Sequence, residues 1–182
     1  MSPEPRPLLT FDLDGVLCRP PFGINPGRGQ NKSREGAGTR NVLWLSERWR
    51  YMARKPMPGA REGLRLLGER FECQVVSARS TDASAYTASW FRNSIGLEIP
   101  LNLRPGWREK PAQFKARRVA ELGPIAHFED DPHTAAWLAE LLPAVFLVDW
   151  PRNRWLDLPN VHRINRLEEA LPVLERLLAA GS

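Results

Sequence analysis

The feature that most limits how this chain can fold is an apolar run that ends on acids, Leu8-Leu-Thr-Phe-Asp-Leu-Asp14. It reads as a short strand that delivers two carboxylates to one end of a sheet. The pattern returns at Ile125-Ala-His-Phe-Glu129, which runs into Asp130 and Asp131. Between and after these runs, strands and helices alternate. Phe71 to Ser77 and Ala144 to Val148 read as strands, and Leu97 to Leu103 as a short strand that Pro100 confines to an edge. Gly59 to Arg70 reads as a helix with Leu64 and Leu67 inward. Ser80 or Thr81 caps a helix that runs to about Ser94 and stops near Gly96. Pro111 opens a helix to Leu122, Pro132 opens one to Leu142, and Arg166 to Ala180 is amphipathic.

Repeated strand-then-helix units imply a parallel sheet covered on both faces. The expected class is α/β: a doubly wound, mostly parallel, Rossmann-like sheet of five strands, with a small helical and loop insertion after the first. The 182 residues fit a single domain, 1–182, with 18–58 as the insertion. In such sheets ligands bind beyond the carboxyl ends of the strands. Asp12, Asp14, Ser77 and the Glu129-Asp130-Asp131 run all fall at that edge.

Composition excludes several classes. No apolar run approaches the roughly 20 residues needed to span a bilayer, and the first residues lack the pattern of a signal peptide. A cytoplasmic protein without a membrane partner is expected. Cys18 and Cys73 are too few for a disulfide framework or a four-cysteine zinc site. His127, Asp131 and His133 resemble a metal cluster, but His127 on an apolar strand reads better as a hydrogen-bonded core residue. Trp107, Trp137, Trp150 and Trp155 read as packing residues.

The formal charge of +5 is unevenly distributed. Residues 18–58 hold nine basic side chains against two acids, and the rest of the chain is slightly acidic. Residues 20–38 are rich in Gly, Pro, Asn and Ser and read as a loop. Val42, Leu45, Trp49 and Met52 then follow helical spacing, and Trp44, Arg48, Tyr51 and Lys55 form a second face. Arg48 and Lys55 on that face are candidates for neutralising a nucleotide or a nucleic-acid strand. A solvated or dimer-contacting face is the competing reading.

Asp12 and Asp14 stand two residues apart at a strand end, and Gly15 permits a tight turn. Paired carboxylates divide labour: one stays ionised as nucleophile or ligand while the other exchanges a proton. With Asp130 and Asp131 converging from a neighbouring strand, the acids repel unless a cation binds, and hard oxygen donors suit Mg²⁺. Lys110 supplies a positive charge and Ser77 a hydroxyl. This set fits phosphoryl transfer through an acyl phosphate.

Phe11-Asp12-Leu13-Asp14-Gly15-Val16, Ser77 in Val75-Val-Ser-Ala-Arg79, Lys110 in Glu109-Lys-Pro111, and Glu129-Asp130-Asp131 stand in the order of four known motifs. Over roughly residues 7–150 the chain resembles the haloacid dehalogenase-like hydrolase superfamily. The resemblance implies that Asp12 is the nucleophile and Asp14 the proton carrier, whose backbone carbonyl also binds Mg²⁺. Ser77 would hold a phosphoryl oxygen, and Lys110 would stabilise the nucleophile and the transferring group. Asp130 would ligate the metal, with Asp131 directly or through water. The fourth motif reads Glu-Asp-Asp, not Gly-Asp with a spaced acid, so the metal contact among Glu129, Asp130 and Asp131 stays open, with Asp130 favoured.

Ser77, Ala78 and Arg79 are expected to bind substrate, Arg79 gripping a second phosphate or a sugar oxygen. The insertion corresponds to the small cap that selects substrate. The expectation is a Mg²⁺-dependent phosphomonoesterase acting on a small phosphorylated molecule, with a nucleotide or nucleic-acid terminus as candidates. A phosphotransferase would share this chemistry. The alternative is a nucleic-acid-binding or regulatory module on the same fold with little or no turnover.

Overall fold

The computed structural model describes residues 6–20, 54–106 and 109–180. Most of the basic insertion, including Arg48 and the helical pattern around it, lies outside the described residues, as does Trp107. Among the described residues there are six strands, β1 (Leu8–Phe11), β2 (Glu72–Ser80), β3 (Leu101–Arg104), β4 (Ala126–Glu129), β5 (Ala144–Val148) and β6 (Val161–Ile164). The helices are α1 (Ala60–Arg70), α2 (Ser84–Trp90), α3 (Pro111–Leu122), α4 (Pro132–Ala139) and α5 (Leu171–Ala180). All strand pairs are parallel, in the order β3-β2-β1-β4-β5-β6.

The sixth strand corrects the expected five. Val161–Ile164 is four residues long and contains His162 and Arg163, so apolar patterning does not mark it. It forms because the exposed edge of β5 offers a ladder, with Val145 opposite Val161 and Val148 opposite Ile164. At the other edge, β3 begins directly after Pro100, whose carbonyl accepts the Val75 N–H at 2.9 Å.

Side-chain alternation divides the sheet into two apolar faces. One carries Leu9, Phe11, Ala126, Phe128, Phe146 and Val148, packed with Leu64, Leu67, Trp90, Phe91 and Leu174 from α1, α2 with the turn after it, and α5. The other carries Val145 and Leu147 with Phe114, Val119, Ala135 and Leu138 from α3 and α4. Phe11, Phe128 and Phe146 stack across three adjacent strands, with centroids 4.4 and 4.8 Å apart. Gly63 lets α1 approach the turn before α5: a Cβ there would lie 2.7 Å from the Leu167 Cβ.

The connections β1–α1–β2 and β2–α2–β3 run over one face, and β3–α3–β4 and β4–α4–β5 over the other. The chain therefore reverses its direction of travel between β1 and β4. Two neighbouring strands whose following loops diverge leave a crevice, and that switch point is where open α/β sheets bind ligands. Among the described residues, no helix is long and apolar enough to cross a membrane.

The Phe128 ring is the middle of the stacked row and is fully buried. Phe128→Ala is expected to cost about 3–5 kcal/mol, read in urea unfolding as a lower midpoint at unchanged slope.

Candidate active site

The crevice is built from the ends of β1 and β4. Asp12 follows the last residue of β1, and its N–H donates to the Phe128 carbonyl at 2.8 Å, so its backbone is fixed by the neighbouring strand. The next residues wind into one tight turn: the Leu17 and Cys18 N–H groups both donate to the Leu13 carbonyl, at 3.0 and 2.7 Å. Gly15 makes the turn possible with φ of 96°. From there the chain leaves for the insertion and returns beside its own start. Arg19 N–H donates to the Lys55 carbonyl at 2.8 Å, and Met57 N–H to the Leu17 carbonyl at 2.9 Å. The two ends of the insertion are thus pinned together at the rim of the crevice.

A buried lysine holds the two acid loops together, and it is Lys115. Its Nζ lies 2.9 Å from Asp12 Oδ2 and donates to both Glu129 oxygens, at 3.0 and 2.7 Å. Lys110 does not reach this cluster. It sits at the N-cap of α3 in an extended conformation with its side chain exposed, whereas Lys115 lies about one and a half turns further on and faces the sheet. A signal for Lys115 was present: it is four residues before Val119 and next to Phe114, on the apolar stripe of its helix. A lysine on such a stripe needs buried acids to face.

Burial raises the Asp12 carboxyl to about 7, with Glu129 and Asp14 adding to the rise and Lys115 opposing it. Burial, Glu129 and Asp12 push Asp130 well above the carboxylate range, against Arg152 and Lys115. Burial also opposes the charge on Glu129, but Lys115 and His127 overcome it and hold that carboxyl below its ordinary range. For Lys115 the three acids outweigh burial and keep the ammonium charged. His127 is a buried hydrogen-bonded core residue, as its sequence context suggests. Its Nδ1 is 2.8 Å from Thr10 Oγ1 and its Nε2 is 3.4 Å from Glu129 Oε2. Burial lowers its pKa.

Asp12, Glu129 and Asp130 each offer a carboxylate oxygen within 4.8 Å of the others, and all three are buried. Crowded buried carboxylates, two of them reluctant to ionise, suit a hard divalent cation. Glu129 is already engaged by Lys115 and by the N–H groups of Asp130 and Asp131, at 3.0 and 3.1 Å. Asp12 and Asp130 meet bases too, Lys115 and Arg152, but theirs are the two carboxylates that could hold such an ion.

The carboxylate of Asp131, expected among the ligands, is otherwise engaged: its Oδ1 caps α4 by accepting from Thr134 N–H at 2.9 Å and Thr134 Oγ1 at 3.1 Å. Asp14 contributes no carboxylate to the cluster either. Arg79 holds it bidentately, Nε to Oδ2 at 3.0 Å and Nη2 to Oδ1 at 2.7 Å, and Arg54 donates to Oδ1 as well. It remains 29% exposed at the rim.

Ser77 is buried on β2, two residues beyond the pairing of Phe11 with Val75 and level with the Asp12–Asp14 turn. Arg79, expected to grip substrate, is buried and turned onto Asp14 instead. Ala78 between them is half-buried, and Lys55 is exposed at the end of the returning arm. Arg54, not singled out by the sequence, comes from that same arm, and Trp90 Nε1–H anchors its carbonyl at 2.7 Å. Of the tryptophans read as packing, Trp137 and Trp155 are exposed at 41% and 60%.

Removing the lysine leaves carboxylates facing each other in a dry site. Lys115→Ala is expected to destabilise the protein by about 3–5 kcal/mol. Asp12 carries a pH signature. Between the ordinary value of 3.8 and about 7, the folded protein holds a proton there that the unfolded chain has released. Without divalent cations, its contribution to stability therefore falls as pH rises through that window. In EDTA, the stability of Asp12→Asn relative to wild type should be greater at pH 7.5 than at pH 5, the gap shrinking on acidification. A gap that widens on acidification contradicts the assignment.

No protein-family model matches the chain, and no curated protein sequence does. Solved structures do. A haloacid dehalogenase-like family hydrolase from Xanthomonas campestris superposes with a TM-score of 0.62 at 12% identity, over 97% of each chain. A haloacid dehalogenase-like family hydrolase from Streptococcus pneumoniae gives 0.60 at 13%, over 93% of this chain and 98% of that one. The D,D-heptose 1,7-bisphosphate phosphatase of B. bronchiseptica, solved with magnesium and phosphate, gives 0.53 at 13%, over 93% and 99%. The six-stranded parallel sheet, its strand order and these superpositions agree: the chain has the haloacid dehalogenase-like fold.

Proposed function

We propose that this protein is a Mg²⁺-dependent phosphomonoesterase that works through an aspartyl phosphate on Asp12. The observation that carries the reading is the Lys115 ammonium placed 2.9 Å from Asp12 and 2.7 Å from Glu129 at the switch point of the sheet. A carboxylate acts as a nucleophile only when ionised, and burial alone works against that. Lys115 supplies the charge that keeps Asp12 reactive while limiting the water around it. Asp12 and Asp130 would hold the Mg²⁺ ion, which when bound neutralises charge on the phosphoryl oxygens.

Each remaining role falls to a group with a fitting position. Asp14 is partly exposed at the rim and two residues from the nucleophile, so it can exchange a proton with a leaving oxygen and with water. Arg79 and Arg54 fix its orientation. Ser77 supplies a hydroxyl at the same level of the sheet. Glu129 orients Lys115 and takes no part in bond making. The substrate would be a small phosphorylated molecule, and the basic composition of residues 18–58 favours a nucleotide or a nucleic-acid terminal phosphate. Those residues would form the substrate-selecting insertion of the domain. The magnesium and phosphate bound by the B. bronchiseptica phosphatase are consistent with this chemistry on the same fold.

The test is hydrolysis of nucleotides, sugar phosphates and 3′- or 5′-phosphorylated oligonucleotides with Mg²⁺ and with EDTA. Turnover is expected with Mg²⁺ alone, and Asp12→Asn should reduce it to background. Lys115→Ala should lose activity while Lys110→Ala keeps it. Turnover that survives Asp12→Asn rejects the covalent route. Absent turnover, together with oligonucleotide binding that weakens with salt, would favour the binding-module reading instead.

A further inference from the structure

The turn that follows β5, Trp150-Pro-Arg-Asn153, carries no part in the chemistry above, yet it reaches both acid loops. Arg152 Nη2 donates to Asp130 Oδ2 at 2.7 Å, and its Nη1 lies 3.4 Å from Asp131 Oδ2. Asn153 is fully buried. Its Nδ2 donates to the Asp130 carbonyl at 3.0 Å and to the Val148 carbonyl at 2.8 Å. Its Oδ1 accepts from the Trp150 N–H at 3.2 Å and from Arg163 Nη1 of β6 at 2.8 Å. Trp150 Nε1–H reaches across to the Gly15 carbonyl at 3.1 Å. Pro151 presets the backbone at the first position of the turn. One short segment therefore binds the loop after β1, both the backbone and the carboxylate of Asp130, and the edge strand.

Packing alone does not call for this arrangement. An apolar side chain would fill the space of Arg152 without desolvating a guanidinium. The Arg152 guanidinium spans two carboxylates, one nitrogen on Asp130 and the other toward Asp131, so its planar fork sets the direction of the bonded Asp130 oxygen as well as its charge. We propose that this turn positions Asp130 for a divalent cation, with Arg152 as a positioning residue for the metal and Asn153 as the anchor that holds Asp130's backbone. Ligand orientation by such outer partners typically accounts for 10–100-fold in metal affinity. The inference rests on the reading of Asp12 and Asp130 as cation ligands, and the experiment separates the two.

Mg²⁺ binding to the full-length metal-free protein is measured by calorimetry, and Mn²⁺ binding by electron paramagnetic resonance, for wild type, Arg152→Gln and Arg152→Lys. The melting temperature of each metal-free protein is recorded alongside. Arg152→Gln is expected to bind roughly 10–100-fold more weakly at a similar melting temperature. Arg152→Lys keeps the charge but loses the fork, and should recover part of the loss. Should Arg152→Gln unfold, the Lys variant decides: affinity equal to wild type overturns the proposal, and an intermediate value supports it. Unchanged affinity in Arg152→Gln overturns it. So does tighter binding, which simple repulsion between guanidinium and cation would produce. If the wild-type protein takes up neither ion, the metal site itself is wrong and the role of Arg152 falls with it. If wild type binds and Arg152→Gln binds equally, only the role of Arg152 falls.

Discussion

A single buried ammonium holds the site together. Asp12 leaves β1 and Glu129 ends β4, and because these strands are neighbours their carboxylates must share one desolvated space. Two such charges cannot be buried side by side without a counterion. Lys115 is that counterion, and its position fixes much else. It requires α3 to lie on the face opposite α1 and α2, with Phe114 and Val119 seating the helix. It also requires the chain to cross over between β3 and β4, which creates the crevice. A buried ion pair of this kind is weak support for stability, because desolvation offsets most of the attraction. Its worth lies in fixing the place and orientation of the Asp12 carboxyl in a site of low polarity.

The same rule repeats around the crevice. Asp14 is met by Arg79 from β2 and Arg54 from the returning arm of the insertion, and Asp130 by Arg152 from the turn after β5. Each acid is matched by a base from a different part of the chain. The site is thus assembled from four connections and is organised before any ligand enters, the condition under which fixed charges help most in catalysis. The insertion takes part through Arg54. Whatever bends that arm also moves the partner of Asp14, so the insertion and the crevice are mechanically joined through one residue.

Much of the architecture was legible in the order of residues. Alternating strand and helix signals implied a covered parallel sheet, and Asp12, Asp14, Ser77 and Asp130 all stand at its carboxyl edge. Short polar β6 carried no apolar signal, and it exists because β5 had an edge to fill. The lysine was displaced by one turn and a half: Lys110 stands beside a proline in a familiar pattern, while Lys115 hides on a buried stripe. Arg79 was read as a substrate contact from its place beside Ser77, and in the fold its guanidinium lies on Asp14, a partner that local sequence does not indicate.

By itself, the sequence determined the strand ends, the acids on them and the faces of the helices, because these follow from local periodicity and from which residues tolerate burial. Only the tertiary structure decided which charge meets which. Lys115 and Asp12 are far apart along the chain, as are Arg152 and Asp130, and Trp150 and Gly15, and their pairing follows from strand order and crossover. Local pattern encodes how deeply a side chain is buried. The identity of its partner is set by which strands become neighbours, and the energy of every buried charge depends on that partner.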